Sequence, residues 1–291
     1  MKILSDFDGV FTDLRAEAAA EAALFREKLA SITAEAVELE EAARAEIERA
    51  PLIHGWVSQG RLSAYADEDP FIGNIAVAQL LDARANSAEP LHLAVLSGLQ
   101  RQGMNSFLEL LVWAHQQIMA TMGQQPELAP SMLQAVERFL DAGNSMVIVS
   151  NSSTARICAV LQARGLDAVQ QDSSGAALQV RGGARKYELG TRPQPVAFGP
   201  RLVDVDRPSY RRILIEEQPD LVLGDVFSFD LALPLDLARS GLLRCRALAC
   251  LQPYTPEWVR AYQDAAFGQF FSMGCLVCSP NFLEMEEACR A

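Results

Sequence analysis

The sequence predicts an α/β fold: a Rossmann-like parallel sheet with helices on both faces, plus an inserted all-α cap domain. Three features of the chain point to it. Short apolar runs at 2–5, 145–149 and 221–223 each end in polar residues. Beyond Pro130 such runs alternate with helical patterns, which implies a parallel sheet covered on both faces. Residues 14–126, between the first run and the others, read as nearly all helical. The expected core is therefore 1–13 with 127–291, and the cap is 14–126.

The elements follow in order. Lys2-Ile3-Leu4-Ser5 is a short strand, and Asp6-Phe7-Asp8-Gly9 comes directly after it. Residues at i and i+2 share a side of a strand, so Asp6 and Asp8 are expected to reach one centre together, with Gly9 allowing a sharp bend. From Leu14 to Ala50 there is no Gly or Pro, and Phe25, Leu29, Ile32, Ala36, Leu39, Ala43, Ile47 and Ala50 form a seam ended by Pro51. This spacing predicts one amphipathic helix. The alanines in the seam favour packing within a helical domain over a coiled-coil dimer. Residues 52–74 are less regular, and 75–85 and 91–122 read as helices. In the core, helices are expected at 131–142, 154–164, 209–218 and 231–239, and strands at 145–149, 221–223, 244–251 and 274–278. The stretch 168–206 has strand and loop character.

Composition narrows the function. The chain has 291 residues, 50% hydrophobic and 21% charged, with a net charge of -12. So acidic a surface repels nucleic-acid phosphates and anionic lipid, so neither is expected as a partner. An anionic substrate needs local neutralisation by a metal ion or basic groups. No apolar stretch reaches the ~18 residues of a membrane span, and no signal peptide is visible, so a cytoplasmic location is expected. Cys275 and Cys278 form a C-x-x-C without a second pair at zinc spacing, so Cys158, Cys245, Cys250, Cys275, Cys278 and Cys289 are expected to be structural. His54, His92 and His115 have no ligand partner at i+3 or i+4, and Trp56, Trp113 and Trp258 read as packing residues. Asp67-Glu68-Asp69 before Pro70 reads as a helix start or a solvated loop, or else as an entrance to the cap.

Ligands of open α/β sheets bind at the carboxyl ends of strands. Three strand ends here carry suitable groups: Asp6 and Asp8, then Ser150-Asn151 at a helix start, then Gly224-Asp225 with Asp230. Paired carboxylates suit metal-assisted phosphoryl chemistry, and a hydroxyl beside helix N-terminal amides can cradle phosphate. Oxygen-rich Asp225 and Asp230 suit a hard cation such as Mg²⁺. An EF-hand reading fails because Val10 and Phe11 stand where Asp or Asn and Gly are needed.

In this order these residues resemble the haloacid dehalogenase-like hydrolase superfamily. Its first motif, Asp-x-Asp-Gly-x-x-x-Asp, is matched by Asp6, Asp8, Gly9 and Asp13; its second by Ser150; its fourth by Gly224, Asp225 and Asp230. The third motif, a basic residue, is matched by Lys186 or alternatively by Arg207 at a helix start, where an Arg departs from the usual Lys. The inserted helices stand where the family places its first type of cap.

The resemblance implies a Mg²⁺-dependent phosphatase acting on a small phosphorylated metabolite. Asp6 would be the nucleophile and Asp8 the general acid and base. Ser150, Asn151 and the basic residue would hold the phosphoryl group, and Asp6, Asp8 through its carbonyl, Asp225 and Asp230 would hold the metal. An acid two residues after the nucleophile favours phosphate transfer over dehalogenation in this family, and Asp8 is an acid. A phosphomutase using the same residues, or a non-catalytic binding protein that keeps the fold, are the alternatives.

Overall fold

The computed structural model describes residues 1–122, 126, 128, 130–170 and 176–271. The chain divides into two compact units, Met1–Asp13 with Gln125–Ala291, and Leu14–Gln124. The first element is β1 (Lys2–Ser5), and its residues from Ile3 to Ser5 are buried.

The second unit begins with α1 (Arg15–Ala30) and α2 (Ala34–Arg49). The seam predicted to form one helix is therefore broken into two. The break falls at Ser31-Ile32-Thr33, where Thr33 turns extended (φ -165°) and the Ser31 hydroxyl donates to the Lys28 carbonyl. Ser and Thr bind nearby backbone in place of continuing a helix, and the fold-back lets the seam bury against itself. Phe25, Leu29, Ala36, Ala43 and Ile47 accordingly share one buried cluster.

Next come β2 (Gly55–Ser58) and β3 (Arg61–Tyr65), an antiparallel hairpin turning at Gln59-Gly60. The unit is thus not purely α. The strands are short, and the pattern at 52–74 has too few residues to show a period. Three helices complete it: α3 (Pro70–Asn86), α4 (Pro90–Arg101) and α5 (Phe107–Thr121). The acidic run before Pro70 is a helix start: Asp69 Oδ1 accepts from the Phe71 and Ile72 amides at 2.7 and 3.1 Å. Asp82 does the same for α5, accepting from the Phe107 and Leu108 amides.

The first unit resumes with α6 (Pro130–Asp141), β4 (Ser145–Val149), α7 (Thr154–Gln162), β5 (Val169–Gln170) and β6 (Leu178–Arg181). A second hairpin, β7 (Pro195–Phe198) and β8 (Arg201–Asp204), precedes α8 (Pro208–Glu217) and β9 (Leu221–Gly224). A π-helical turn (Phe227–Leu231) opens α9 (Ala232–Arg239), followed by β10 (Arg246–Leu251), α10 (Glu257–Arg260) and β11 (Phe267–Phe271). The strand expected at 274–278, with Cys275, Cys278 and Cys289, lies outside the described residues.

The described sheet has seven strands in the order β11-β10-β9-β1-β4-β6-β5, every pairing parallel. Parallel strands are covered on both faces, which is why Met146 to Val149 of β4 and all of β9 are apolar and buried. Ile3 of β1 pairs with Met146 and Leu221 and lies in a buried cluster with Met132, Val136 and Phe139 of α6 and Ile157 and Leu161 of α7. From β1 the chain passes to β4, then to the edge strand β5 and back to β6 between them, before it reaches β1's other side with β9. The crevice of such a sheet opens at this reversal, beyond the carboxyl ends of β1 and β9. Among the described residues no helix is long and apolar enough to cross a membrane.

Candidate active site

Asp6 follows β1, and its amide donates to the Leu223 carbonyl at 2.9 Å, carrying the β1–β9 pairing one residue further. The strand itself ends at Ser5, so Asp8 lies in a turn and strand alternation does not place it. That turn is pinned by Phe11 N donating to Phe7 O (2.8 Å) and by the stacked, buried Phe7 and Phe11 rings. Gly9 stands at φ +78°, where a Cβ would come within 2.0 Å of Asp225 Oδ2. Only glycine lets the first turn approach the end of β9 this closely. Gly224 is constrained in the same way, since its Cβ would fall 2.2 Å from the Asp230 Cβ.

Asp6, Asp225 and Asp230 converge, each offering a carboxylate oxygen within 4.8 Å of the others. Lys186 reaches them from the loop after β6. Its ammonium donates to Asp230 Oδ1 at 2.6 Å, lies 3.0 Å from Asp6 Oδ1 and sits over the Tyr210 ring. Burial works against the lysine's charge, but Asp230 and Asp6 outweigh it and hold its pKa above the ordinary lysine value. Asp6 is pushed up to about 8, first by burial and then by Asp230 and Asp8, against the opposing pull of Lys186.

The two basic candidates have different places. Lys186 touches the carboxylates, whereas Arg207, equally buried, donates through Nη1 to the Lys186 carbonyl and backs its loop. Asn151 holds the same loop by accepting the Lys186 amide on Oδ1 at 2.8 Å. The Ala184 amide donates to Ser150 O, tying the β4 end to the lysine loop. Asp230 is engaged on both oxygens, by Lys186 and by the Val226 amide (3.1 Å), so it serves the lysine as well as the acidic cluster.

The Asp8 carboxyl is drawn to the β4–α7 turn. Ser150 and Ser152 hydroxyls donate to its Oδ2 at 3.2 and 2.7 Å, and Arg156 Nη1 donates to Oδ1 at 3.1 Å. Sequence reasoning missed Ser152, Arg156, Tyr254, Gln252 and Tyr210. Tyr254 donates to Asp225 Oδ2 at 2.8 Å, Gln252 donates through Nε2 to the Gly9 carbonyl, and Tyr210 donates to the Asp230 carbonyl. Gln252 and Tyr254 stand just past β10, so the rule that located the other three strand ends also locates a fourth. Arg156 lies in the first turn after the Ser150 strand end, where a search for nearby cations would find it.

The donor set fits Mg²⁺. It is all oxygen, three carboxylates within 4.8 Å of one another with two of them on the Lys186 ammonium, which suits a hard divalent cation. Asp8's side chain lies outside the three-carboxylate cluster.

No family model matches the chain, and no curated protein matches it. Solved structures with similarity include the HAD-hydrolase YfnB from Bacillus subtilis bound to magnesium, at 13% identity over 94% of this chain and 96% of that one (TM-score 0.45). A haloacid dehalogenase-like family hydrolase from Xanthomonas campestris matches at 11% identity over 100% and 94% (TM-score 0.48). A 2-haloacid dehalogenase from Pseudomonas syringae pv. Tomato DC3000 matches at 14% identity over 98% of each chain (TM-score 0.43). Likenesses this distant leave the fold to be read from the chain's own strand order, an α/β parallel sheet of Rossmann-like type. At the carboxyl ends of that sheet lie the residues on which the resemblance to the haloacid dehalogenase-like hydrolases rests: Asp6, Asp8, Ser150, Lys186, Asp225 and Asp230.

Proposed function

We propose that this protein is a haloacid dehalogenase-like hydrolase, specifically a Mg²⁺-dependent phosphatase acting on a small phosphorylated metabolite. One observation carries the reading: Asp6 stands at the sheet's reversal point with Lys186 3.0 Å away and two further carboxylates in reach. A carboxylate nucleophile needs to be ionised, yet burial pushes Asp6 toward its neutral form. Lys186 offsets part of this, and the remainder fits a metal held by Asp6, Asp225 and Asp230. Bound there, Mg²⁺ would neutralise charge on the phosphoryl oxygens.

The chain's own residues account for the rest. An Asp6 oxygen attacks phosphorus as the ester P–O bond breaks, and the Asp8 proton passes to the leaving oxygen. The products are a free alcohol and an aspartyl-phosphate. Water then attacks phosphorus and gives its proton to Asp8. The bond to Asp6 breaks and inorganic phosphate leaves. Ser150 and Lys186 hold the phosphoryl oxygens, so catalysis is mainly positioning and charge neutralisation. The free thiols of Cys158, Cys245 and Cys250 suit the reducing cytoplasm.

The test is turnover of p-nitrophenyl phosphate with Mg²⁺, read as inorganic phosphate released. Asp6→Asn is expected to lower kcat by at least about 10³-fold while the protein stays folded, as losing a nucleophile does. Wild-type turnover in that variant would remove Asp6 as nucleophile. Transfer of phosphate within the substrate without release would favour a mutase.

A further inference from the structure

We infer that Arg156 is a positioning residue that sets where the Asp8 carboxyl stands for proton transfer. This rests on the phosphatase reading and adds to it the group that aims the acid.

The geometry is specific. Ser153 accepts the Arg156 amide on its hydroxyl at 3.3 Å, which fixes the first turn of α7. The Arg156 guanidinium extends from there over the Phe7 ring, 5.9 Å from its centroid. Its Nη1 donates to Asp8 Oδ1 at 3.1 Å and also to the Ser152 hydroxyl at 3.0 Å. Ser152 in turn donates to Asp8 Oδ2 at 2.7 Å. Both carboxyl oxygens are therefore held by one linked pair of side chains. Arg156 is 13% exposed and Asp8 24%, so this is a sheltered contact with an open side.

The chemistry of the partners divides the labour. A guanidinium donates only and cannot take a proton, so Oδ1 is kept as an acceptor. Hydroxyls can rotate to donate or accept, so the exchangeable proton belongs on Oδ2, facing Ser150 and Ser152. A substrate phosphoryl group competes for the Ser150 hydroxyl. Arg156 and Ser152 then remain as the hold on Asp8. During the first step an Asp6–P bond forms, the ester P–O bond breaks, and the Asp8 proton goes to the leaving oxygen. A displacement of about 1 Å in such an acid costs on the order of 10²-fold.

The experiment compares wild type, R156A and R156K on two esters with Mg²⁺. One is p-nitrophenyl phosphate, whose leaving group departs without a proton. The other is an alkyl phosphate, whose alkoxide needs one. R156A is expected to lose about 10²-fold in kcat on the alkyl ester but only a few-fold on the aryl ester. KM and inhibition by inorganic phosphate stay near wild type, R156K falls between, and dilute guanidinium restores part of the alkyl activity of R156A. Equal loss on both esters overturns the inference, as does a loss confined to KM and phosphate inhibition. If thermal melting shows R156A unfolded, R156K carries the comparison, with a shift in ester preference expected and an unchanged preference overturning it. A wild-type protein inert toward both esters removes the phosphatase reading and the inference with it. Wild-type ester preference retained in the variants sinks the inference alone.

Discussion

In the helical unit Glu40, 2% exposed, lies between Arg26 (3.1 Å) and Arg44 (2.7 Å). Glu21, similarly buried, takes the Asn74 amide at 3.0 Å on one oxygen and His115 at 2.7 Å on the other. At the strand ends of the other unit Asp6, Asp225 and Asp230 crowd together with Lys186 among them. Both regions bury carboxylates, but the second brings three of them within 4.8 Å of one another beside a single ammonium. Burying a charge is costly unless it is paired, so an excess at one point marks a place for a further cation. Carboxylates each supplied with their own donors mark a scaffold. Acidic residues alone do not distinguish the two; the local balance does.

Lys186→Gln should have the largest effect. Lys186 and Asp230 are each 1% exposed, and removing one partner of a buried pair costs about 3–5 kcal/mol. Chemical denaturation should show that loss, and added Mg²⁺ should recover part of it. A loss no larger than that of a surface lysine would mean the carboxylates are not short of positive charge.

Metal binding gives the next largest effect. Mg²⁺ at a hundredfold over its Kd should stabilise the wild type by about 2.7 kcal/mol, and Asp225→Asn should abolish the shift. The pH dependence has a definite sign. Asp6, pushed up to about 8, binds a proton below that pH, and the metal must displace it. Affinity for Mg²⁺ should therefore rise with pH and level off above about 8. Calorimetric titration across this range checks it, and a flat profile would contradict the placement of Asp6 at the metal.

The smallest effect belongs to the balanced region. Glu40→Gln should cost about 1–2 kcal/mol, because Arg26 and Arg44 are 44% and 34% exposed and solvent takes up much of the lost pairing. Mg²⁺ should leave that loss unchanged. Recovery by Mg²⁺ would mean the helical unit holds an ion of its own.

Much of the fold was legible along the chain because each signal is local. Ser145 to Val149 and Leu221 to Leu223 read as buried strands since apolar runs bounded by turn residues need no distant information. The seam from Phe25 to Ile47 was read with the right residues in the wrong number of helices. Period alone does not reveal that Ser31-Ile32-Thr33 reverses the chain. The hairpin at 55–65 and the strand at 267–271 were missed, being short and set by their partners.

Strand-end chemistry was likewise written in order along the chain, because Asp6, Ser150 and Asp225 each follow an apolar run that must end where the sheet ends. Which residues touch was settled in three dimensions. Lys186 and, as its alternative, Arg207 both offer a cation in the sequence, and the path of the loop after β6 puts the lysine's ammonium on Asp6 and the arginine behind it. Asp8, two residues from Asp6, binds Arg156 instead of joining the acidic cluster, because the turn after Ser5 frees it from the strand's alternation. Local composition specifies which groups a strand delivers; packing between distant loops specifies their partners.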